Sequence, residues 1–170
     1  MKVTINMMDL AGVTYSWETI YTALLHNLIE ISEVEIYAMR IMESNDYKEN
    51  DFINNLVWGG MNKEEIKEFI LNEHLVSDIN SFEEYELMKI KYAILFYLKE
   101  NYKDSREYLL RKIEEVYSDF GYPENMSDFI YYMPVCNNRV VNKEEAENNL
   151  ILKFNKYMDK LKNMIIINKN

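Results

Sequence analysis

From Ser16 onward, apolar side chains return every three to four residues, and that period organises the chain. Trp17, Ile20, Tyr21, Leu24, Leu25 and Leu28 form the first such stripe, and Ser16 stands where a helix N-cap belongs. Ser32 and Glu35 have the spacing of a capping box, in which a hydroxyl and a carboxylate reciprocally satisfy orphan backbone amides. A second helix is predicted from there through Val34, Tyr37, Ala38, Ile41 and Met42 until Asn45-Asp46. A short apolar turn over residues 52–58 ends at Gly59-Gly60, where two glycines release the chain from helical geometry. Asn62 and Glu65 signal the next start, with Ile66, Phe69 and Ile70 as its buried stripe.

Ser81 with Glu84 repeats the capping-box spacing and opens the most apolar stretch. Tyr85, Met88, Tyr92, Leu95 and Phe96 mark one face, and Ala93, Ile94 and Leu98 widen it, as in a central helix. Asp104 and Glu107 begin another helix carrying Leu110, Ile113, Val116, Tyr117 and Phe120; it stops at Gly121, and Pro123 prevents its continuation. Asn142 and Glu145 begin the last helix, with Ala146, Leu150, Phe154, Tyr157, Leu161 and Met164 as its stripe. Before all of these, residues 2–5 (Lys-Val-Thr-Ile) read as a lone short strand or an extended arm. The expected fold is all-α: one helical domain over residues 1–170, either a multi-helix bundle or a short stack of antiparallel helix pairs. The period alone does not choose between the two.

Composition supports this. Only 4 Gly and 2 Pro interrupt 170 residues, which suits long helices joined by short turns. A chain of this length buries roughly 70% of its unfolded surface, enough for a core without metal or disulfide. Cys136 is the only cysteine, so no internal disulfide can form. The first ten residues lack the apolar run and cleavage site of a secretory signal, and no apolar run approaches the ~20 residues of a membrane span. A cytoplasmic protein is expected. The formal net charge of −10 argues against a nucleic-acid partner and favours basic partners, or simply solubility; with no apolar run of membrane-span length, no membrane partner is expected. The acidity is uneven: the region from Lys153 to Lys169 is locally basic.

No motif for a metal, a cofactor or catalysis emerges, and no cofactor is expected. His26 and His74 are isolated from each other, without zincin spacing. Gly59-Gly60 lacks the Lys-Ser/Thr of a phosphate-binding loop. Of the pairs Glu64-Glu65, Glu83-Glu84, Glu114-Glu115 and Glu144-Glu145, three fall in the first turn of an expected helix, where the helix dipole favours negative charge. Lys153, Lys156, Lys160 and Lys162 alternate with apolar residues in the last helix, which fits a basic helix docked on an acidic body as well as a membrane or RNA face.

The densest feature is residues 116–134, where Tyr117, Asp119, Tyr122, Glu124, Asp128 and Tyr131 mix aromatic rings with carboxylates. Tyrosine pairs a flat apolar body with a hydrogen-bonding tip, so these six residues form the candidate partner-binding surface; the same rings could equally wedge two helices together. A carboxylate or histidine enzyme site around Asp119, Glu124 or His74 is the alternative, and a helical scaffold module a third.

Glu114, Tyr117, Phe120, Tyr122 and Pro123, followed by Tyr132-Met133-Pro134, resemble a segment of the bacterial domain of unknown function 2247 family. Tyr15-Ser16-Trp17-Glu18 and the central run of residues 91–98 resemble that family as well. The resemblance implies a single domain of similar length with a tryptophan-bearing first helix, and it carries no activity. Small acidic proteins of this kind look like immunity proteins that neutralise a cognate bacterial toxin, which implies a protein partner, a basic toxin being one form of it.

Overall fold

A computed structural model of the chain describes residues 1–44, 50–130 and 142–167. The fold is all-α and multi-helix: eight α-helices and one 3-10 helix among the described residues, with no strand. In order they are α1 (Ile5–Leu10), α2 (Trp17–Leu25), α3 (Ile31–Met42), α4 (Asp51–Trp58), α5 (Lys63–Asn72), α6 (Ile79–Asn101), α7 (Arg106–Asp119), the 3-10 helix (Glu124–Phe129) and α8 (Lys143–Ile167). They fall into two compact units, one made of Lys2–Ile90 and the other of Lys91–Asn170 together with Met1.

In the Lys2–Ile90 unit, α1 packs on α3, α3 on α4, and α2 on α5. Phe52, Leu56, Ile66 and Ile70 are fully buried, as the three-to-four-residue period requires. A run of aromatic rings links these helices. Phe69 stacks on Phe52 at 4.7 Å, Trp17 lies 5.5 Å from Phe52, and Tyr37 meets Trp17 edge-on at 4.9 Å. In the other unit α7 and the 3-10 helix pack on α8, with Phe129 against Phe154 and Tyr157 at 5.7 and 5.1 Å.

The caps show where local chemistry was readable. Asn62 accepts from the Glu64 and Glu65 amides while Glu65 accepts from the Asn62 amide at 2.7 Å, the reciprocal arrangement expected. The Asn142 side chain accepts from the Glu144 amide at 3.3 Å, and the Ser16 amide donates to Thr19 Oγ1 at 3.0 Å.

Other starts differ. The strand or arm expected at residues 2–5 gives way at Ile5 to α1: Thr4 caps that helix through the Met7 amide, and Glu33 accepts from the Ile5 amide at 2.8 Å. Just before it, Val3 N–H donates to the Leu28 carbonyl at 2.7 Å. A six-residue helix is too short for its period to be read, and half of its capping comes from a residue 28 positions away. Ser32 does not cap α3, which starts at Ile31 after Glu30. Ser81 does not cap α6 either: Asp78 does so, accepting from the Asn80 amide, and the Ser81 hydroxyl donates back to the Asp78 carbonyl. α7 begins at Arg106 after Ser105, past the expected Asp104. Consequently Glu83-Glu84 lie beyond the first turn of their helix, and only Glu64-Glu65 and Glu144-Glu145 sit at a positive dipole end.

On α6 the expected Tyr92, Ala93, Ile94, Leu95 and Leu98 are buried, whereas Tyr85, Met88 and Phe96 are half-buried and Ile90, not expected there, is fully buried. On α8, Leu150, Phe154, Tyr157 and Leu161 are buried as the period predicts, while Met164 is exposed and Met158 takes a core place. Its lysines, Lys153, Lys156, Lys160 and Lys162, are exposed. No described helix is long and apolar enough to cross a membrane.

Candidate functional site

The segment from Tyr117 to Asp128 folds around a helix stop. α7 ends where Gly121 takes φ +72°, and Tyr122 follows at φ +59°, returning its amide to the Tyr117 carbonyl at 2.9 Å. A left-handed tyrosine is uncommon; here it swings the Tyr122 ring edge-on against the Tyr117 ring at 5.3 Å. Pro123 then starts the 3-10 helix.

The six residues expected to form a partner surface are thereby sorted. Tyr117 is 3% exposed and belongs to the core, which corrects its place in that surface: with Val116 and Ile113 it fills the inner face of α7. Tyr122 is 61% exposed, and Glu124 and Asp128 are exposed. Asp119 is paired with the Met1 amine, so its charge is already met. Asp128 offers its backbone carbonyl to Lys153 Nζ at 3.1 Å. Tyr131 lies outside the described residues, as do Cys136, Asn45-Asp46 and Tyr132-Met133-Pro134. Of the groups considered for an enzyme site, His74 is an exposed residue at φ +52° closing α5, in the other compact unit from Asp119 and Glu124. Among the described residues no group of three metal-ligating side chains occurs.

Charge separates more sharply than the sequence pattern suggested. Residues 2–90 hold 17 of the 29 Asp and Glu but only 6 of the 19 Lys and Arg, a net −11. Met1 with residues 91–170 holds the remaining 12 acids and 13 bases, a net +1. The tyrosine-rich segment therefore belongs to a nearly neutral unit. The charge that would steer a basic partner lies in the other one, a partition visible only once the chain is divided at Ile90.

Within that acidic unit the fold exposes its largest apolar side chain. α4 turns Phe52, Ile53 and Leu56 inward and leaves Trp58, its last residue, 85% exposed. Gly59 then takes φ +76° and ψ 173°, a conformation open in practice to glycine alone, and Gly60 takes φ +107°. The two glycines carry the chain along an open cleft of about 470 Å3 between α4 and α5. Asn55, Met61, Glu65, Glu68, Phe69 and Asn72 line it with them. Phe69 is its apolar base, fixed by stacking on the buried Phe52. Glu65 spends one carboxylate oxygen on the Asn62 amide, whereas Glu68 has no ion-pair partner among the described residues. Glu35 adds a third carboxylate, its Oε1 3.9 Å from where a Cβ on Gly59 would stand. The short apolar turn expected over residues 52–58 is instead the helix α4, and Gly59-Gly60 ends it as the sequence predicts. The available signal was a tryptophan directly before two glycines, at a position that the apolar Leu56 and Val57 before it make look buried.

A second feature the pattern concealed is polar and internal. Glu86 and Lys89 of α6 are 3% and 5% exposed, and Thr19 Oγ1 of α2 donates to the same Glu86 oxygen that pairs with Lys89. Lys89 Nζ also lies 5.2 Å from the centre of the Tyr85 ring. At the edge of α2, His26 meets Glu83 at 2.7 Å. These contacts fasten α2 to the first half of α6.

No curated protein matches the chain, and no solved structure does. The family described as "Uncharacterized protein conserved in bacteria (DUF2247)" matches residues 5–162. That match takes in every described helix from α1 to α7 whole and most of α8, and the chain belongs to this family.

Proposed function

We propose that the protein is a non-enzymatic binding domain for a basic protein partner, and that an immunity protein holding a cognate toxin inactive is the specific form this takes. The observation that carries the reading is the partition of charge, −11 on residues 2–90 against +1 on the rest. A field of one sign concentrated on a compact body raises the encounter rate with an oppositely charged protein and suppresses like-charged competitors. An exposed tryptophan within the same unit supplies the desolvated anchor that charge alone does not provide. Tyr122, Glu124 and Asp128 remain candidates for a secondary contact, since they are exposed on the other unit.

The test is co-expression with the products of the flanking genes. A stoichiometric complex with a basic protein, together with relief of that protein's toxicity by this chain, supports the reading. A complex formed only with acidic or neutral proteins, or turnover of a small-molecule substrate by the purified chain, contradicts it.

A further inference from the structure

We infer that the α4–α5 cleft and Trp58 form the site that grips an arginine side chain presented by a loop of the basic partner. This inference rests on the reading just given and locates it. Charge complementarity selects the occupant. The cleft combines an aromatic base at Phe69, carboxylates at Glu65 and Glu68, and side-chain amides at Asn55 and Asn72. A guanidinium carries a flat cationic face for stacking and a fork of N–H donors for carboxylate and amide oxygens, and so uses each of these groups. A lysine ammonium would use the charge but not the flat surface.

The cleft is open and shallow, which suits a side chain on another protein's loop better than an enclosed small molecule. Gly59 and Gly60 leave its wall free of side chains, so a partner backbone can approach closely. Trp58 does not line the cleft, but it directly precedes Gly59, which does, and its indole stands in water where it can cover an incoming group. Burying Trp58 around a charge pair excludes water from it, the arrangement that concentrates binding energy in a few residues. Glu68 brings the carboxylate that no cation of the described chain has claimed.

The probe is a blocked arginine-glycine peptide, compared with a peptide of identical length in which citrulline replaces arginine, removing the charge while keeping the shape. Calorimetric titration at low salt is expected to show the arginine peptide binding about tenfold more tightly than its twin. Trp58→Ala and Glu68→Gln are each expected to weaken it about fivefold or more, Trp58→Phe to retain part of the affinity, and Glu100→Gln with Asp104→Asn, exposed on the other unit, to leave it unchanged. Far-ultraviolet circular dichroism of each variant reports whether the helices are intact. Equal affinity for the arginine peptide in Trp58→Ala, Glu68→Gln and the unaltered protein, with salt still weakening it, would overturn the cleft and leave the acidic-unit reading standing. No preference for arginine over citrulline would overturn both.

Discussion

Lys89 and Glu86 pair at 2.6 Å one turn apart on α6, with side chains 6% and 4% exposed, and the Thr19 hydroxyl donates to the same carboxylate. Two charges taken out of water this far are stable only as a pair, because each compensates the other's lost hydration. Lys89→Met should therefore cost about 3 to 5 kcal/mol in denaturant unfolding, since it strands a buried carboxylate. Adding Glu86→Leu should recover most of that loss. A single variant as stable as the parent would mean that water reaches Glu86.

This pair also explains which parts of the fold were legible in the sequence. Helices were found wherever an apolar stripe ran through them uninterrupted, as in α2, α5 and α7. On α6 the charges at positions 86 and 89 broke the stripe, so the helix was read with Tyr85, Met88 and Phe96 inward, although they are half-buried. Periodicity counts a charge as solvent-facing and carries no information about a partner 67 residues away. The cap was legible at Asn62, whose reciprocal partner Glu65 lies three residues on, and was missed where a bond came from far along the chain, as at Thr4 with Glu33. The candidate surface was read from density of tyrosine and acid between residues 117 and 131. Burial then withdrew Tyr117, and the division of the chain moved the weight of charge to residues 2–90. Trp58 was missed because an aromatic residue in an apolar run is ordinarily buried.

Gly59 gives a prediction that separates backbone strain from crowding. A Cβ there would have room, its nearest neighbour being Glu35 Oε1 at 3.9 Å, yet φ +76° with ψ 173° strains any side-chain-bearing residue. Gly59→Ala should lower stability by about 1 to 3 kcal/mol in chemical denaturation. It should also weaken arginine-peptide binding by re-aiming Trp58. Unchanged stability would show that the turn relaxes freely.

Alkaline pH probes the packing of α8. Burial pushes the Tyr157 phenol, which is 8% exposed, up to about 12 from the ordinary 10.0, and burial with the neighbouring Tyr15 does the same for Tyr37. A raised tyrosine value means that the unfolded chain gives up its proton first. The neutral ring's contribution is thus complete below pH 10 and lost as pH rises toward 12. Lys91 acts in the opposite sense: burial lowers its value, so its own contribution improves as pH approaches the ordinary 10.5. Tyr157→Phe should leave stability at pH 7 within about 1 kcal/mol and remove about 2 kcal/mol of the loss between pH 10 and 12. The Tyr157 hydroxyl holds only a long bond, 3.4 Å, to Asn125, which is why the neutral-pH cost is small. Parallel pH curves for the two proteins would contradict the assignment.

The central claim is that residues 2–90 draw in a basic protein by charge, and the association rate measures it most directly. With the cognate partner, stopped-flow mixing should show that rate falling by more than about tenfold between roughly 50 and 500 mM salt. Asp51→Asn with Glu68→Gln should lower it further at low salt, while Glu124→Gln with Asp128→Asn should change it little. An association rate indifferent to salt, or one governed by Glu124 and Asp128, would contradict the account.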